Sequence, residues 1–354
     1  MSGEPAATHV QDGPRRTAST AIALILGGAA SVVVLWFAYK IVTAILLTFF
    51  ALVVTIALSA PVRWFMRRGV PRKLSAILIF SLFLGTLILI GALVIPRLAA
   101  QIVVLVKELP EFVVRFNQQM AALLTRYPEL QGFMSDDAAA LGGVIPSPAE
   151  FFRGGLGLSL SIIAFIALLI VFLSFILYTL LDPLPVLRGY LGSLPSHHRR
   201  QGVRALARAS RAVIGWTKAS VILGIIEGTL AFIFLTILGV PGALVWAALA
   251  FFSEFIPRIG GYVMAAPPIL ISLTMDPMTA LWVTLFYLIS NEILGNVVAP
   301  RIRGTTMQLH PVLLLFFTLA FALAFGLLGA VVATPAAAFF SAFYGEFYLK
   351  RRPA

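Results

Sequence analysis

Glu254-Phe255-Ile256-Pro257-Arg258-Ile259-Gly260-Gly261 interrupts an apolar run that extends to both sides, over about 241–257 and 261–275. Proline removes a backbone donor and glycine tolerates dihedrals other residues avoid, so a helix entering this stretch stops and another starts. The two flanking apolar segments hold about 17 and 15 residues, fewer than the roughly 20 that cross a bilayer core. Broken backbone at membrane depth persists only where protein or a water-filled cavity meets its polar groups. Discontinuous helices of this kind are where transporters commonly build ion and substrate sites.

The surrounding sequence belongs in a membrane. Hydrophobic residues make up 60% of the 354 residues and charged residues 11%, with a mean hydropathy of +1.00, whereas a soluble domain carries about 25% charged residues. Further apolar blocks occupy approximately 20–39, 41–60, 74–95, 157–181, 213–238 and 278–298. A last block, 309–343, is too long for one span and contains Gly326, Gly329 and Pro335, which predicts a helical hairpin. The predicted fold is all-α: a polytopic helical membrane protein of about eight spans plus a C-terminal hairpin, with broken or re-entrant helices in its C-terminal half. Pro257, Gly260, Gly261, Pro300, Gly304, Pro311 and Pro335 are the expected break points. The polar N-terminus with Arg15-Arg16 is not read as a signal peptide, because apolar character runs on to about Ala60 and fits two spans better than one cleavable segment.

Orientation follows from the placement of Lys and Arg. Loop 61–73 carries Arg63, Arg67, Arg68, Arg72 and Lys73 with no acid. Segment 182–212 carries Arg188, Arg199, Arg200, Arg204, Arg208 and Arg211 against Asp182, and the chain closes on Lys350-Arg351-Arg352. These three segments are expected to be cytoplasmic. Segment 96–156 mixes Arg97, Lys107, Arg115, Arg126 and Arg153 with Glu108, Glu111, Glu129, Asp136, Asp137 and Glu150, and is expected outside. The resulting order is a cytoplasmic tail (1–19), three spans (20–95), an external insert (96–156), a fourth span (157–181), a cytoplasmic basic linker (182–212), a C-terminal bundle (213–343) and a cytoplasmic basic tail (344–354).

The insert repeats apolar residues at three- and four-residue steps from Ile102 to Leu123, which predicts a long amphipathic helix lying on the membrane, on its own bundle or against another copy. Residues 135–156, rich in Pro and Gly, predict a return loop. Arg200, Arg204, Arg208 and Arg211 fall at helical spacing, suited to an anionic inner leaflet or simply to fixing topology.

The formal net charge of +12 does not point to nucleic acid, because the basic residues sit in short runs between apolar blocks. The absence of Cys excludes thiolate chemistry. The four histidines are not spaced as a metal set, and no nucleophile-elbow, Walker or dinucleotide motif occurs, so neither an enzyme nor a cofactor is expected.

An ionised side chain at the bilayer centre costs about 2.5–3.5 kcal/mol even on insertion scales, so such residues tend to mark paths or contacts. The C-terminal half holds Glu227 inside a Gly224-to-Gly228 GxxxG spacing, Glu254 and Arg258 at the break, and Asn291, Glu292 and Asn296 near the end of the 278–298 block. Glu254 and Arg258 stand four residues apart, a spacing that on a helix would pair them. Glu292 could line a path or hold two helices together. Burial favours the neutral form of a carboxyl and a bond to Arg258 would oppose this at Glu254, which makes Glu292 the expected proton site and Glu254 its companion in ion coupling. Glu227 ranks third.

Two stretches resemble a known family. Phe255 to Gly261, continuing to Ala265-Ala266-Pro267-Pro268, is similar to the Ile-Pro-x-x-Gly segment of the autoinducer-2 exporter family of bacterial permeases. Asn291 to Pro300, Gly304, His310-Pro311 and the run from Gly326 through Gly329 to Thr334-Pro335 resemble that family's C-terminal signature. The resemblance implies a bacterial inner-membrane transporter that self-associates, members being associated with autoinducer-2 export or with sodium/proton antiport. The chain departs from the pattern at Arg258 and Gly261. The expectation is a secondary transporter or exporter of a small polar solute driven by an ion gradient. A non-transporting membrane scaffold is the alternative of another class.

The charge asymmetry yields a first test. Single cysteines placed in 96–156 are expected to react with a membrane-impermeant thiol reagent in cells with a permeabilised outer membrane, and those in 182–212 to stay unlabelled; the reverse pattern would overturn this orientation.

Overall fold

The computed structural model describes residues 13–126, 158–303 and 311–348. The described residues form helices α1 (Gly13–Arg67), α2 (Arg72–Arg126), α3 (Leu158–Leu181), α4 (Leu184–Gly192), α5 (Arg199–Ile237), α6 (Ala243–Ser253), α7 (Gly260–Met275), α8 (Pro277–Ile293), α9 (Ala299–Arg303) and α10 (Pro311–Phe347), and no strand. Two compact units are distinguished, 1–49 and 50–354. The first consists, among its described residues, of the N-terminal part of α1, whose Val32 to Phe37 are exposed.

Among the described residues, five helices are long and apolar enough to cross a membrane, or up to six if the bent pair of α3 and α4 counts as one span. About eight spans plus a hairpin were expected, and where the helices differ from the expected blocks the cause is local. The expected boundary near residue 40 is absent: α1 is a single helix, of which Ala44–Arg67 qualifies as a span. A lone Lys40 with neither Gly nor Pro beside it does not stop a helix. Likewise α2 runs on through Pro110 to Arg126, so the helix expected in the insert is a prolongation of the third span. The return loop at 135–156 lies outside the described residues.

In the larger unit, the C-terminal part of α1 packs with α2 and α3 around Ala51, Val62, Ala76, Ile79, Phe80, Ile176 and Leu180. Gly69, with φ of +88°, closes the turn between α1 and α2. Just beyond it, Arg72 donates from Nε to the Leu181 carbonyl at 3.1 Å and from Nη2 to the Leu180 carbonyl at 3.2 Å. Those carbonyls end α3 and have no partner within it. The chain then bends by 91° into α4. The basic stretch and the following span are one helix, α5, rather than a linker plus a span.

The C-terminal elements are built on close approach. Cβ atoms at Gly224 and Gly228 would stand 2.6 Å from the Phe251 carbonyl oxygen and 2.9 Å from that of Ala247, so the GxxxG spacing lets the antiparallel α5 and α6 touch backbone to backbone. Helix α6 has 11 residues and α7 has 16, about 16 and 24 Å of rise. They form a broken hairpin in place of two complete spans. The core around it joins Ala231, Leu235, Trp246, Ala250, Ile271, Val283 and Tyr287, with Val94 and Leu98 of α2 against it. Asp276 turns the chain into α8, its carboxylate accepting from the backbone N–H of Met278 at 3.0 Å and Thr279 at 3.1 Å.

Pro300 does not break its helix. A π-helical turn, Leu294–Val298, precedes it, and the Ala299 N–H bonds the Leu294 carbonyl. The wider turn accommodates the missing proline donor while the helix continues to Arg303. Pro311 opens α10, the position where its missing N–H costs least. Gly304 lies outside the described residues. Pro335 is carried inside α10; the interruption is at Gly326, with φ of +63°. The Phe317 and Phe340 rings are 5.4 Å apart, whereas 23 residues of straight helix would separate them by about 34 Å. The chain therefore doubles back at Gly326, and Gly329 has no room for a Cβ beside the Phe321 carbonyl. The expected hairpin is present, turned at Gly326, one of the three interruptions expected, and not at Pro335. Its returning arm lies along α5, where Arg204 Nε donates to Glu346 Oε2 at 3.2 Å.

The α5–α6 contact can be tested directly. Gly224→Val is expected to destabilise the detergent-solubilised protein by about 1–3 kcal/mol in thermal unfolding, while Gly85→Ala, with nothing within 4 Å of the added carbon, loses nothing. Equal behaviour of the two variants would contradict the packing described.

Candidate functional site

Glu227 lies one residue before the second glycine of the GxxxG pair, so the contact that brings α6 against α5 also walls this carboxyl from its surroundings. Its residue is 1% exposed. From α8, Ser290 Oγ donates to Glu227 Oε1 at 2.9 Å. The second carboxyl oxygen, Glu227 Oε2, is buried without a hydrogen-bond partner, as are the Tyr287 hydroxyl and Asn291 Nδ2. Tyr287, Ser290 and Asn291 stand at i, i+3 and i+4 of α8 and therefore share one face. Leu294, one turn on, packs with Leu223 of α5 and holds that face in register. Unpartnered buried polar atoms are uncommon in folded proteins and call for an explanation.

Asn291 connects this centre to the break. Its side-chain amide occupies the place a Cβ on Gly261 would need, so glycine at 261 is what permits the contact between α7 and α8. The break itself is a run of turns. The Ile256 N–H bonds the Ser253 carbonyl at 2.9 Å, Ile259 N–H bonds Pro257 at 2.8 Å and Gly260 N–H bonds Ile256 at 3.0 Å. Its backbone therefore meets much of its own hydrogen-bonding need, and Gly260 has no space for a side chain beside the Ser253 carbonyl. Arg258 takes φ of +67°, a left-handed conformation that costs a non-glycine residue energy and recurs at functional sites.

A second, exposed network lies across the break and the π turn. The Tyr262 hydroxyl donates to Glu292 Oε1 at 2.7 Å, Asn296 Nδ2 donates to Glu292 Oε2, and Arg258 Nη1 donates to Asn296 Oδ1 at 3.3 Å. Asn296 is a residue of the π turn itself, so the irregular backbone of α8 and the irregular backbone of the break are tied by side chains.

The residues singled out in the sequence thus fall into two groups. Glu227 and Asn291 belong to the buried one; Glu292, Asn296 and Arg258 to the exposed one. Glu254 ends α6, partly buried and within electrostatic reach of Glu227. Turns begin at Glu254, so the helical i, i+4 argument for its contact with Arg258 does not apply. The carboxyls also differ in burial: Glu292 is exposed and held by two donors, while Glu227 is enclosed. Ser290, Tyr287 and Tyr262 were not among the expected residues. A polar stripe at 287, 290 and 291 was the available signal, hidden by the weak polarity of a single Ser and Tyr. Among the described residues, no group of three His, Asp or Glu is placed to hold a metal ion.

Known proteins resemble this chain. The profile of a family described as "AI-2E family transporter" matches residues 25–349. The "Putative transport protein YueF" of Bacillus subtilis is 26% identical over 272 residues, 73% of this chain and 72% of that protein. The "Putative transport protein YhhT" of Escherichia coli K12 is 26% identical over 288 residues, 80% and 79% of the two chains. The "AI-2 transport protein TqsA" of Escherichia coli K12 is 36% identical over a shorter stretch of 120 residues, 34% and 35% of the two.

Proposed function

This chain belongs to the AI-2E family of transporters, and on that premise we propose that it is a secondary transporter exporting a small polar solute across the bacterial inner membrane, with Glu227 as its ion-coupling group. That it is a multi-pass membrane transporter follows from the family and from the apolar helices. The solute class is taken from the relative whose name gives AI-2 as its cargo, and the energy source from the lack of any nucleotide-binding motif in the sequence.

One observation carries the coupling proposal: a carboxyl 1% exposed in a membrane helix, with one oxygen held by Ser290 and the other unpartnered. A group that couples ion movement to a conformational cycle must change its charge or its ligation. Glu227 Oε2 offers an open position for a proton or a sodium ion. Tyr287, Ser290 and Asn291 are polar neighbours able to shift with it, since all three ride on α8 just before the π turn. A change at Glu227 would pull on α8, and α8 is tied to the break through Glu292, Asn296 and Arg258. Glu254 and Glu292 are then modulators of the same cycle. The pairing of Arg204 with Glu346 puts the end of α10 beside the basic stretch of α5, so both lie on the cytoplasmic side if the positive-inside rule holds for them. Self-association is part of the proposal, as the family resemblance implies. An exchange of sodium for protons without solute is the second reading, favoured by the same open carboxyl oxygen.

The proposal is tested by flux in proteoliposomes with imposed proton or sodium gradients, using autoinducer-2 as solute and a pH-sensitive dye to follow protons. Wild type is expected to move solute under one of the gradients. Glu227→Gln, which keeps size and removes titration, is expected to fall to the protein-free background, with Glu254→Gln and Glu292→Gln slowed. Gradient-driven ion exchange with no solute movement would select the antiport reading. Wild-type flux in Glu227→Gln would overturn the coupling role, and no flux of any kind in wild type would favour the scaffold.

A further inference from the structure

The basic stretch of α5 is not used by the transport site. It meets the end of α10 in a recess of about 390 Å³ lined by Arg204, Ala207, Arg208, Arg211 and Glu346. Glu346 is 4% exposed and accepts from Arg204 Nε at 3.2 Å. A buried carboxylate thereby fixes Arg204 across the recess and neutralises its charge. Arg208 and Arg211 have no hydrogen-bond or ion-pair partner among the described residues; the Arg208 guanidinium lies over the backbone at Gly345, 3.4 Å from where a Cβ would stand. Arginines at i, i+4 and i+7 lie on one helical face, and with Arg204 paired to Glu346 the like charges of Arg208 and Arg211 favour an anion between them.

We propose that this recess is a binding site for the phosphate of an anionic phospholipid headgroup, with Arg208 and Arg211 as its ligands and the Arg204–Glu346 pair as its fixed wall. Guanidinium groups present paired donors that match phosphate oxygens. Three features on the page favour a lipid over a soluble phosphate. The recess is at the basic end of α5, whose Ser196–Ile237 stretch is long and apolar enough to cross a membrane, beside the end of the returning arm of α10. Exposed Tyr344 on the last turn of α10 and Tyr348 just beyond it are stacked with ring centroids 5.5 Å apart, and tyrosines of this kind mark headgroup depth. Basic clusters beside a span are the usual means of holding anionic lipid. The site stands independently of the coupling role given to Glu227.

The test is native mass spectrometry of the delipidated, detergent-solubilised full chain titrated with phosphatidylglycerol, phosphatidylcholine, glycerol phosphate or inorganic phosphate. Wild type is expected to retain phosphatidylglycerol over phosphatidylcholine, and Arg208→Gln/Arg211→Gln to weaken that retention by roughly tenfold or more. Arg188→Gln/Arg200→Gln, an equal loss of charge away from the recess, is expected to retain the lipid as wild type does. Equal weakening in both double variants would overturn the site in favour of bulk charge. Glycerol phosphate or inorganic phosphate binding as tightly as phosphatidylglycerol would overturn the lipid assignment, as would retention of both lipids alike. Thermal unfolding of each variant without added lipid identifies loss of fold, and Arg208→Lys/Arg211→Lys, which keeps the charge, then replaces the glutamine variant with intermediate retention expected.

Discussion

Hydrocarbon offers no hydrogen-bond partner to a carboxylate or to a free backbone group, and much of the C-terminal bundle is arranged around meeting that constraint at Glu227. Helix α5 delivers the carboxyl, α6 closes over it because two glycines allow backbone contact, and α8 brings Ser290 to one oxygen. A larger residue at either glycine would separate the helices and admit lipid or water to the carboxyl. The second carboxyl oxygen, buried without a partner like the Tyr287 hydroxyl and Asn291 Nδ2, is then the informative feature.

The irregular backbone serves the same centre. A continuous helix through 254–261 would carry Arg258 and Gly261, three residues apart, to one face; the turns instead place Gly261 under Asn291 and aim Arg258 at Asn296. The π turn makes the complementary adjustment in α8, setting Asn296 between Arg258 and Glu292 ahead of Pro300. Two local departures from helix, each costly alone, are joined by one side-chain chain. Such a junction is a natural place for a two-state movement. At the opposite end of α5, the Arg204–Glu346 pair ties the helix to α10.

The sequence made the all-helical membrane class legible, because apolar runs of bilayer length leave no other solution. The break at Pro257 to Gly261 was equally legible from two residue types. Span count was less so: Lys40 looks like a boundary by polarity, yet polarity does not end a helix, and Pro300 and Pro335 look like breaks although a π turn and neighbouring packing accommodate them. At the site, Glu227 was visible but ranked behind Glu292, because sequence shows that a carboxyl is in a span without showing which way it faces. Its depth depends on the Gly224 and Gly228 contact with Phe251 and Ala247, a tertiary fact. Ser290 and Tyr287 carry too little polarity to stand out in a helix of Leu, Ile and Phe.

The central claim is that the face of α8 opposite Glu227 is reached by water and ions during transport. Since the chain has no cysteine, a single Ser290→Cys substitution reports on that face alone. In oriented proteoliposomes, its reaction rate with a small, charged thiol reagent is predicted to depend on the imposed ion gradient and to switch between the two sides of the membrane when the gradient is reversed. A cysteine at 290 that stays unreactive from both sides under every gradient, in protein still active in flux, would contradict the account.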